Sequence, residues 1–563
     1  MVARPVFLYA GALAVVAMCG CGTSFDRERQ KTLFEVQTKQ FPIAAARING
    51  LYGSNEAGEP LAAGGDTGKQ AHYDDKQLLL WQMERGLIAS LAGDFAAADL
   101  HLDAAAKLVD ERRTKSIAAE TTTYLLNDNA RPYAGHGFES IQVDYYRILS
   151  QVVQAQTAAG MGDSAVAPSA EQAADHYEKA LSRARRMTLD ELKETSDDAD
   201  EHRYRDDPFA RFLAGLVIYA LPPSSRTEDD QQFSQVMFKR ALDAYVQEQA
   251  ALGADRHFHW EVGHRPHVVE RMFLRHCLAY DPGSYDDEAK HYGLDPQPRP
   301  ELPSGYGSVL VLNHVDFISR PRILSIGYAT MAPTLTSDER AEGSTTTNFS
   351  IAGMGFWAKG PNSMVAADWV VPLPQDILDH MTPGGMAVFG MQLPVDAEED
   401  PILAPARVHL TPLTPGPGSE PVIERLEVVS DLDAYARATL KDEQPRLLAK
   451  TIIRAVTKQI VAAEAAVQAK KAVGGGEEGA VVETVVNLFG SAAATISETA
   501  DTRAWTTLPN HVEAALVDLP AGRYSVEIEN AYGDHPDGTF DVRAGQVTIV
   551  PARTYPIPIQ NPK

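Results

Sequence analysis

The densest group of potential metal ligands in the sequence is a histidine-rich segment between residues 255 and 280. The four candidate ligands in it are His257, His259, His264 and His267. Imidazole nitrogens commonly bind zinc and copper, and a His-x-His pair followed by His-x-x-His can place three of them around one ion. The segment contains no His-Glu-x-x-His motif, and its apolar residues are typical of a helix face at a domain joint. We therefore predict no cofactor and keep a zinc or copper site as the alternative.

A second pair of residues with catalytic potential is His314 and Asp316, near the end of a predicted strand. Histidine and aspartate form the orienting pair of many hydrolases, but they need an activated nucleophile beside them. No Gly-x-Ser-x-Gly nucleophile elbow occurs in the sequence. The sequence therefore predicts that the protein is not an enzyme, and the alternative is a metal-dependent enzyme that uses the histidine-rich segment.

The N-terminus has the pattern of a bacterial lipoprotein signal peptide. Arg4 precedes an apolar run from Val6 to Met18, and the run ends in Met18-Cys19-Gly20-Cys21. The run is shorter than the roughly 20 apolar residues of a spanning helix. We predict that residues 1–20 are removed and that Cys21 carries lipid; the alternatives are an ordinary secretory signal or a short buried helix.

Charge and cysteine content limit the classes of partner. The 563 residues carry a formal net charge of −25, which repels nucleic acid and anionic lipid headgroups. We therefore predict no nucleic-acid partner and a membrane connection through the N-terminal lipid alone. The sequence has three cysteines, of which only Cys277 remains after processing and lipidation, so no internal disulfide is expected.

In the region 70–280, small and large residues recur at the spacing expected of paired, closely packed helices. The pattern resembles the tetratricopeptide repeat, a helix-turn-helix unit of 34 residues in which small residues let two helices approach closely. A plain antiparallel helical bundle would show similar periodicity, and both hypotheses predict stacked helix pairs. The predicted seam residues are Gly86, Gly93, Phe95, Ala98, Ala173, Tyr177, Ala180, Ser234, Phe238 and Ala241.

The rest of the chain divides by composition into an α+β multidomain arrangement. We predict a flexible tether at 21–69 and a β-rich domain at 301–432, where short runs of β-forming residues alternate with Pro and Gly. The pattern of residues 433–500 predicts amphipathic helices with a Gly-rich break. The pattern of residues 501–563 predicts a small β-sandwich-like module with tight turns.

Several short sequence segments, taken in chain order, resemble those of a functionally uncharacterised family of bacterial envelope lipoproteins. That family carries degenerate tetratricopeptide-like helices after the signal peptide. The segments are Glu84-Arg85-Gly86 with Gly93-Asp94-Phe95, Asp207 to Gly215, Gly307 to Val311, and Ala500 to Pro509. The resemblance covers roughly residues 75 to 550. It implies a cell-envelope protein and supplies no catalytic residues.

These observations favour a lipid-anchored protein that recruits an envelope protein partner through its helical domain, since stacked helix pairs usually hold a peptide or a partner helix. Gly22 after Cys21 resembles the pattern that permits sorting to the outer membrane, facing the periplasm. Two alternatives are a metal-binding protein and a glycan-binding surface lipoprotein that uses three aromatic residues expected to be exposed, Trp357, Trp369 and Trp505.

Overall fold

The computed structural model is a mixed α+β protein in which helices predominate. The residues that the structure describes are 23–54, 72–119, 132–161, 167–194, 207–252, 265–294, 299–319, 322–331, 350–351, 369–370, 386–395, 404–414, 420–441, 501–530, 533–556 and 558–559. Cys21 and most of the region 433–500 therefore lie outside the described residues.

The helices form a stack that begins near the N-terminus. Their bounds are α1 Thr23–Gln37, α2 Phe41–Tyr52, α3 Leu78–Leu91, α4 Phe95–Ala119, α5 Gly137–Ala158, α6 Ala170–Glu194, α7 Pro208–Ala220, α8 Glu228–Leu252, α9 His267–Tyr280 and α10 Tyr285–His291. A further helix, α11, is described over residues 432–441. None of the described helices is long and apolar enough to cross a membrane.

The segment predicted as a flexible tether, 21–69, contains α1 and α2 instead. Val36 of α1 and Ile48 of α2 are fully buried in the same apolar cluster as the later helices. Burial of such a side chain contributes about 1.5–3 kcal/mol, which favours ordered helices over a mobile linker. The N-terminal helices are therefore part of the folded body.

Among the described residues, the strands form two four-stranded sheets and three separate two-stranded ribbons. Their bounds are β1 Gly53–Ser54, β2 His72–Tyr73, β3 Tyr306–Val315, β4 Arg322–Met331, β5 Ser350–Ile351, β6 Trp369–Val370, β7 Met386–Val395, β8 Arg407–Pro412, β9 Val422–Arg425, β10 Glu427–Asp431, β11 His511–Pro520, β12 Gly522–Asn530, β13 Gly533–Val542 and β14 Val547–Thr554.

Both four-stranded sheets combine strands from distant parts of the sequence. The first sheet has the order β10–β11–β3–β14, with β14 parallel to β3 and the other neighbours antiparallel. The second sheet has the order β13–β12–β8–β9 and is antiparallel throughout. Strands that the sequence assigns to the units 301–432 and 501–563 therefore pair within the same sheets.

The first sheet is the middle layer of three. Val309 and Val311 of β3 pack with residues of the second sheet, whereas Leu310 and Leu312 belong to the apolar cluster of the helices. Because successive residues of a strand face opposite sides, one strand supplies both interfaces. The near-continuous apolar run of β3 reflects burial on both faces.

Candidate functional site: the helical stack and its two faces

The predicted seam residues lie in the helix pairs α3–α4, α5–α6 and α7–α8. Those of Ala, Tyr, Ser and Phe type are buried, except that Phe95 at the start of α4 is half-buried. A Cβ built on Gly86 would lie 2.7 Å from the Leu102 side chain, so only glycine permits this approach of α3 to α4. Gly93 has a φ of +77° in the turn between the two helices, a backbone conformation that favours glycine.

The same close approach recurs in the third pair. A Cβ built on Gly215 of α7 would lie 3.0 Å from Met237 and from Phe238 of α8. The hydroxyl of Ser234 donates to the backbone oxygen of Gly215 at 2.7 Å. Small residues therefore set the helix spacing in the first and third pairs, at positions where the sequence pattern predicts a packing seam.

The first helices of the second and third pairs lie against the first sheet, whereas α3 of the first pair contacts residues 506 and 507. Helices α5 and α7 contact β14, α7 also contacts β10, and α9 contacts β11. We call this side of α3, α5, α7 and α9 the inner face, and the solvent-exposed side of α4, α6 and α8 the outer face. Helix α8 also contacts the first sheet, since the buried Tyr245 hydroxyl donates to the backbone oxygen of Val429 in β10 at 2.7 Å. The inner face is the side that stacked helix pairs usually offer to a partner, and here the chain's own sheet and C-terminal residues occupy it.

A buried carboxylate on α3 anchors part of that contact. Residues 501–508 run across the inner face, and we call them the strap. Oε1 of Glu84 accepts the backbone N–H of Thr506 and its hydroxyl, each at 2.8 Å. Oε2 accepts the hydroxyl of Thr507 at 2.5 Å. Glu84 is fully buried, and burial raises its pKa above the usual value although the threonine hydrogen bonds oppose this.

A second buried carboxylate, Glu139 at the start of α5, holds the preceding residue of the strap, Trp505. Its Oε1 accepts the backbone N–H of Trp505 at 2.7 Å, while Oε2 accepts the Tyr133 hydroxyl at 2.6 Å and the backbone N–H of His136 at 2.9 Å. Burial and the adjacent Glu139 raise the pKa of Tyr133 well above its ordinary value. The strap is thus held by buried backbone and side-chain hydrogen bonds.

Two arginines, Arg29 of α1 and Arg503 of the strap itself, add further hydrogen bonds between the strap and the helical stack. Arg29 of α1 donates to the backbone oxygen of Ala504 at 2.9 Å. Arg503 donates to the backbone oxygen of Lys76 at 3.0 Å, forms an ion pair with Asp501 at 2.6 Å, and lies over the ring of Tyr133. The strap is therefore tied to α1, to the residues before α3 and to α5.

His314 and Asp316 do not form the orienting pair of a hydrolase. Nε2 of His314 lies 3.0 Å from the Tyr145 hydroxyl, and Nδ1 lies 3.0 Å from the backbone oxygen of Ala552. The carbonyl can only accept, which assigns the proton to Nδ1 and makes Nε2 the acceptor. Burial lowers the pKa of His314 to about 3, so the ring is neutral. Nε2 joins β3 to α5 and Nδ1 joins β3 to β14, so neither nitrogen is left to act as a base.

Asp207 is a junction of three elements. Its Oδ1 accepts the backbone N–H of Phe209 at 2.9 Å and so caps α7. Its Oδ2 accepts from the Gln142 side chain of α5 at 2.8 Å and from the Ser430 hydroxyl of β10 at 2.9 Å. One buried carboxylate therefore fixes two inner helices to the first sheet.

The fourth inner helix, α9, is attached by ion pairs. Arg275 donates to the Ser308 hydroxyl at 2.8 Å and to both oxygens of Asp518 at 3.0 and 2.7 Å. Arg271 also donates to Asp518, at 2.5 Å. The fork of Arg275 matches the two carboxylate oxygens, a geometry stronger than a single hydrogen bond.

The outer face is stiffened by a polar seam between α4, α5 and α6. Arg183 of α6 pairs with Asp99 at 2.9 Å and with Asp103 at 3.0 Å, both on α4, and Arg147 of α5 pairs with Asp103 at 2.8 Å. The two arginines are largely buried. Such a network fixes the relative positions of the three helices.

Exposed large apolar side chains are few among the described residues. Three of them lie on second helices: Leu100 of α4, with 71% of its surface exposed, and Val236 and Val246 of α8, with 41% and 40% exposed. Ile43 of α2, Leu413 after β8 and Ile423 of β9 are the others. The outer face thus combines a rigid polar seam with isolated apolar side chains.

The structure places one of the four predicted metal ligands. His267 begins α9 and is largely exposed, with Nδ1 3.4 Å from Glu270. Its backbone N–H donates to Glu427, which also accepts from Val268 and so caps the helix. His257, His259 and His264 lie outside the described residues. Within the part of the chain that the structure describes, no group of three or more potential ligands could hold a metal ion.

The aromatic residues proposed for glycan binding differ in position. Trp505 is fully buried beside Tyr146, and its indole N–H donates to the Thr507 hydroxyl at 3.1 Å. The expectation that Trp505 is exposed is therefore wrong, because the strap that carries it is covered by the helices. Trp369 lies in β6, and Trp357 lies outside the described residues.

Comparison of the chain with models of known protein families, with curated proteins and with solved structures finds no match.

Sequence reasoning missed the residues that close the inner face. The sequence segments that carry the family resemblance include Glu84, Asp207 and the strap. The sequence alone does not show that these segments contact one another. The available signal was chemical: an acidic residue within a mostly apolar helix, as Glu84 is in α3. Charged residues are almost never fully buried unless paired, so a partner elsewhere in the chain was to be expected.

Proposed function

We propose that this protein is a lipid-anchored envelope protein that recruits a partner protein on the outer face of its helical stack. The signal-peptide pattern ending at Cys21 supports attachment to a membrane from outside the cytoplasm. The observation that carries the proposal is the division of the stack into two faces. The chain's own sheet and strap occupy the inner face, which leaves α4, α6 and α8 as the surface for a partner.

The geometry of the outer face supports this role. The ion pairs of Arg183 and Arg147 hold the three helices α4, α5 and α6 in fixed positions, so a partner meets a pre-organised surface. Leu100 and Val236 supply exposed apolar side chains that a partner would remove from water. The net charge of −25 favours a partner with a basic surface.

Lipid attachment is tested first. The wild-type chain expressed in a Gram-negative host is expected in the outer-membrane fraction, and a Cys21→Ser variant is expected to lose incorporation of an alkyne fatty acid. Equal incorporation by both chains would exclude Cys21 as the acceptor. Wild-type protein without lipid would contradict the anchor itself.

Partner recruitment is tested with point substitutions rather than with a deletion of the helical region. The stack shares its apolar cluster with the first sheet, so removing it would expose the buried face of β3. A double variant, Leu100→Asp with Val236→Asp, places charges on the outer face without touching the inner contacts. The matched control carries Leu413→Asp and Ile423→Asp, which change two similarly exposed residues of the second sheet.

Each tagged lipoprotein is purified from gently solubilised envelopes, and the co-purifying proteins are identified. A protein that accompanies the wild type and the control but is reduced at least tenfold with the outer-face variant supports the proposal. Loss with the control alone, or retention with the outer-face variant, contradicts it.

A further inference from the structure

Helix α1 begins immediately after the predicted lipid acceptor. It starts at Thr23, and only Gly22 separates it from Cys21. Two residues of extended chain span at most about 7 Å. The inference that follows rests on the proposed function, because it uses the lipid on Cys21. Acyl chains on that cysteine hold the first turn of α1 close to the phospholipid headgroups.

Helix α1 is fastened to the folded body from its second turn onward. Arg47 of α2 forms an ion pair with Glu28 and a second one, at 2.5 Å, with Glu35. Leu33 and Val36 are buried in the apolar cluster of the helical stack. Unwinding α1 into a spacer would break both ion pairs and expose these side chains to water. The helix therefore transmits the position of the lipid to the whole body.

Other segments of the chain meet the first half of α1. Arg29, which lies about 9 Å along the helix axis from Thr23, donates to the backbone oxygens of Thr502 and Ala504 at 3.4 and 2.9 Å. Arg503 of the strap donates in turn to the backbone oxygen of Lys76 at 3.0 Å. We call the start of α1, residues 74–76 and residues 501–504 the anchor end of the stack.

The exposed side chains of the anchor end are polar. Arg27 carries a positive charge, and residues 74–76 present Asp74, Asp75 and Lys76 to solvent. The exposed large apolar side chains of the described residues all lie elsewhere in the chain. Charged groups lose their hydration at high cost among acyl chains, whereas headgroups keep them hydrated. The anchor end is thus suited to lie on a bilayer surface and not within it.

The charge of the chain limits how much of the body contacts that surface. The net charge of −25 is repelled by anionic headgroups, and a body lying on its flank would bring more of this charge to the bilayer. The anchor end meets the surface with charges of both signs. Helix α1 has 15 residues and is about 22 Å long, so an upright body places Thr38, just after its end, about that far above the headgroups.

We propose that the anchor end of the helical stack is a bilayer-contact surface and that its partner is the phospholipid headgroups around the lipid on Cys21. Helix α1 rises from the bilayer without a spacer, and the joint between α1 and the strap lies next to the headgroups. The outer face is then held at a fixed height and orientation above the membrane instead of moving on a flexible tether.

The first test measures the distance of two sites on α1 from the headgroups. The full-length lipidated chain carries bimane on Arg27→Cys or on Thr38→Cys, both exposed positions, in phosphatidylcholine vesicles that contain some phosphatidylglycerol and a lipid with a nitroxide headgroup. We expect the Arg27 site to be quenched at least threefold more than the Thr38 site. The native Cys277 adds little background, because it is buried and burial raises its pKa to about 12.

Equal quenching at the two sites would overturn the upright arrangement. Absence of quenching at both sites in lipidated protein would overturn the contact itself.

A spacer variant tests whether the short connection holds the body on the bilayer. Twelve Gly and Ser residues inserted between Gly22 and Thr23 lengthen the connection by about 19 Å on average. The variant is expected to lose most of the quenching at the Arg27 site and to keep the wild-type melting temperature, because the contacts of α1 are unchanged. The matched control carries the same twelve residues after Lys563 and is expected to be quenched like the wild type.

Undiminished quenching in the spacer variant would overturn the role of the short connection. Incorporation of an alkyne fatty acid is measured on the same preparations, which separates this inference from the proposed function. A chain without lipid would contradict the lipid anchor and with it this contact. A lipidated chain without position-dependent quenching would overturn the contact alone.

Discussion

The carboxylate of Glu84 accepts the backbone N–H of Thr506 at 2.8 Å, although 422 residues separate them in the chain. This contact joins the first helix of the first pair to the strap before β11. Together with the hydrogen bonds of Glu139 to Trp505 and of Asp207 to Ser430, it joins the helical stack and the sheets into one continuous buried interior. The helical stack and the sheets are therefore a single body whose inner face is closed.

Removal of the Glu84 carboxylate should destabilise this interior strongly. In Glu84→Ala the two threonine hydroxyls and the N–H of Thr506 lose their buried acceptor, which costs about 3–5 kcal/mol. Glu84→Gln keeps an acceptor for Thr506 and should cost about 1 kcal/mol. Urea unfolding followed by circular dichroism measures both, with the exposed Glu178→Ala as the control. A Glu84→Ala variant as stable as the control would contradict the buried role of Glu84.

Asp207→Ala should cost more than the loss of an ordinary helix cap. The variant removes the cap of α7 and the acceptor for Gln142 and Ser430, so we expect a loss of about 2–4 kcal/mol. Asp94→Ala removes only an exposed cap on Ala97 at the start of α4 and should cost about 1 kcal/mol. Equal unfolding midpoints for the two variants would show that the junction adds nothing to the cap.

The close approach of α3 to α4 predicts a specific rescue. Gly86→Ala introduces a Cβ 2.7 Å from the Leu102 side chain and should cost about 1–3 kcal/mol by overpacking. Shortening the neighbour in Gly86→Ala with Leu102→Ala should cost less than the sum of the two single variants. Thermal unfolding of the four chains gives the coupling, and strict additivity would mean that the two residues do not press on each other.

Part of the fold can be predicted from the sequence, and the predictable part is local. The Gly86 and Gly93 spacing predicts a helix pair because both residues act within one hairpin. The pairing of β3 with β11 depends on partners such as Asn313 and Glu513, which are 200 residues apart, and alternation within a strand does not identify its neighbour. The same limit applies to the inner face: residue type shows that Glu84 is acidic, but only the packed structure shows that it is buried.

Buried neutral histidines predict a loss of stability in acid. Burial lowers the pKa of His314 to about 3, whereas in the unfolded chain it titrates near 6.5. Between those values the unfolded state binds the extra proton, so stability falls as the pH drops below about 6.5, by at most ~1.4 kcal/mol per pH unit for this group. His101 and His276, whose pKa values burial lowers to about 4, act in the same direction.

A His314→Gln variant should therefore be less stable than the wild type at pH 7.5 but lose less stability between pH 7.5 and pH 5. Melting temperatures at the two pH values measure this difference. Burial also raises the pKa of Glu84, so this carboxyl gives a contribution of opposite sign at pH values above its unfolded pKa of 4.5; both chains share this contribution, and it cancels in the comparison. An unchanged pH dependence in the variant would contradict the neutral, buried state of His314.

Photo-crosslinking in living cells tests the outer face most directly. A photo-reactive amino acid is placed in the full-length lipoprotein at Leu100 or Val236 on the outer face, and at Ile423 on the second sheet as the control of similar exposure. We predict that Leu100 and Val236 give an adduct with the same envelope protein and that Ile423 does not. An adduct at Ile423 alone, or none at Leu100 and Val236 in lipidated protein, would contradict recruitment through the outer face.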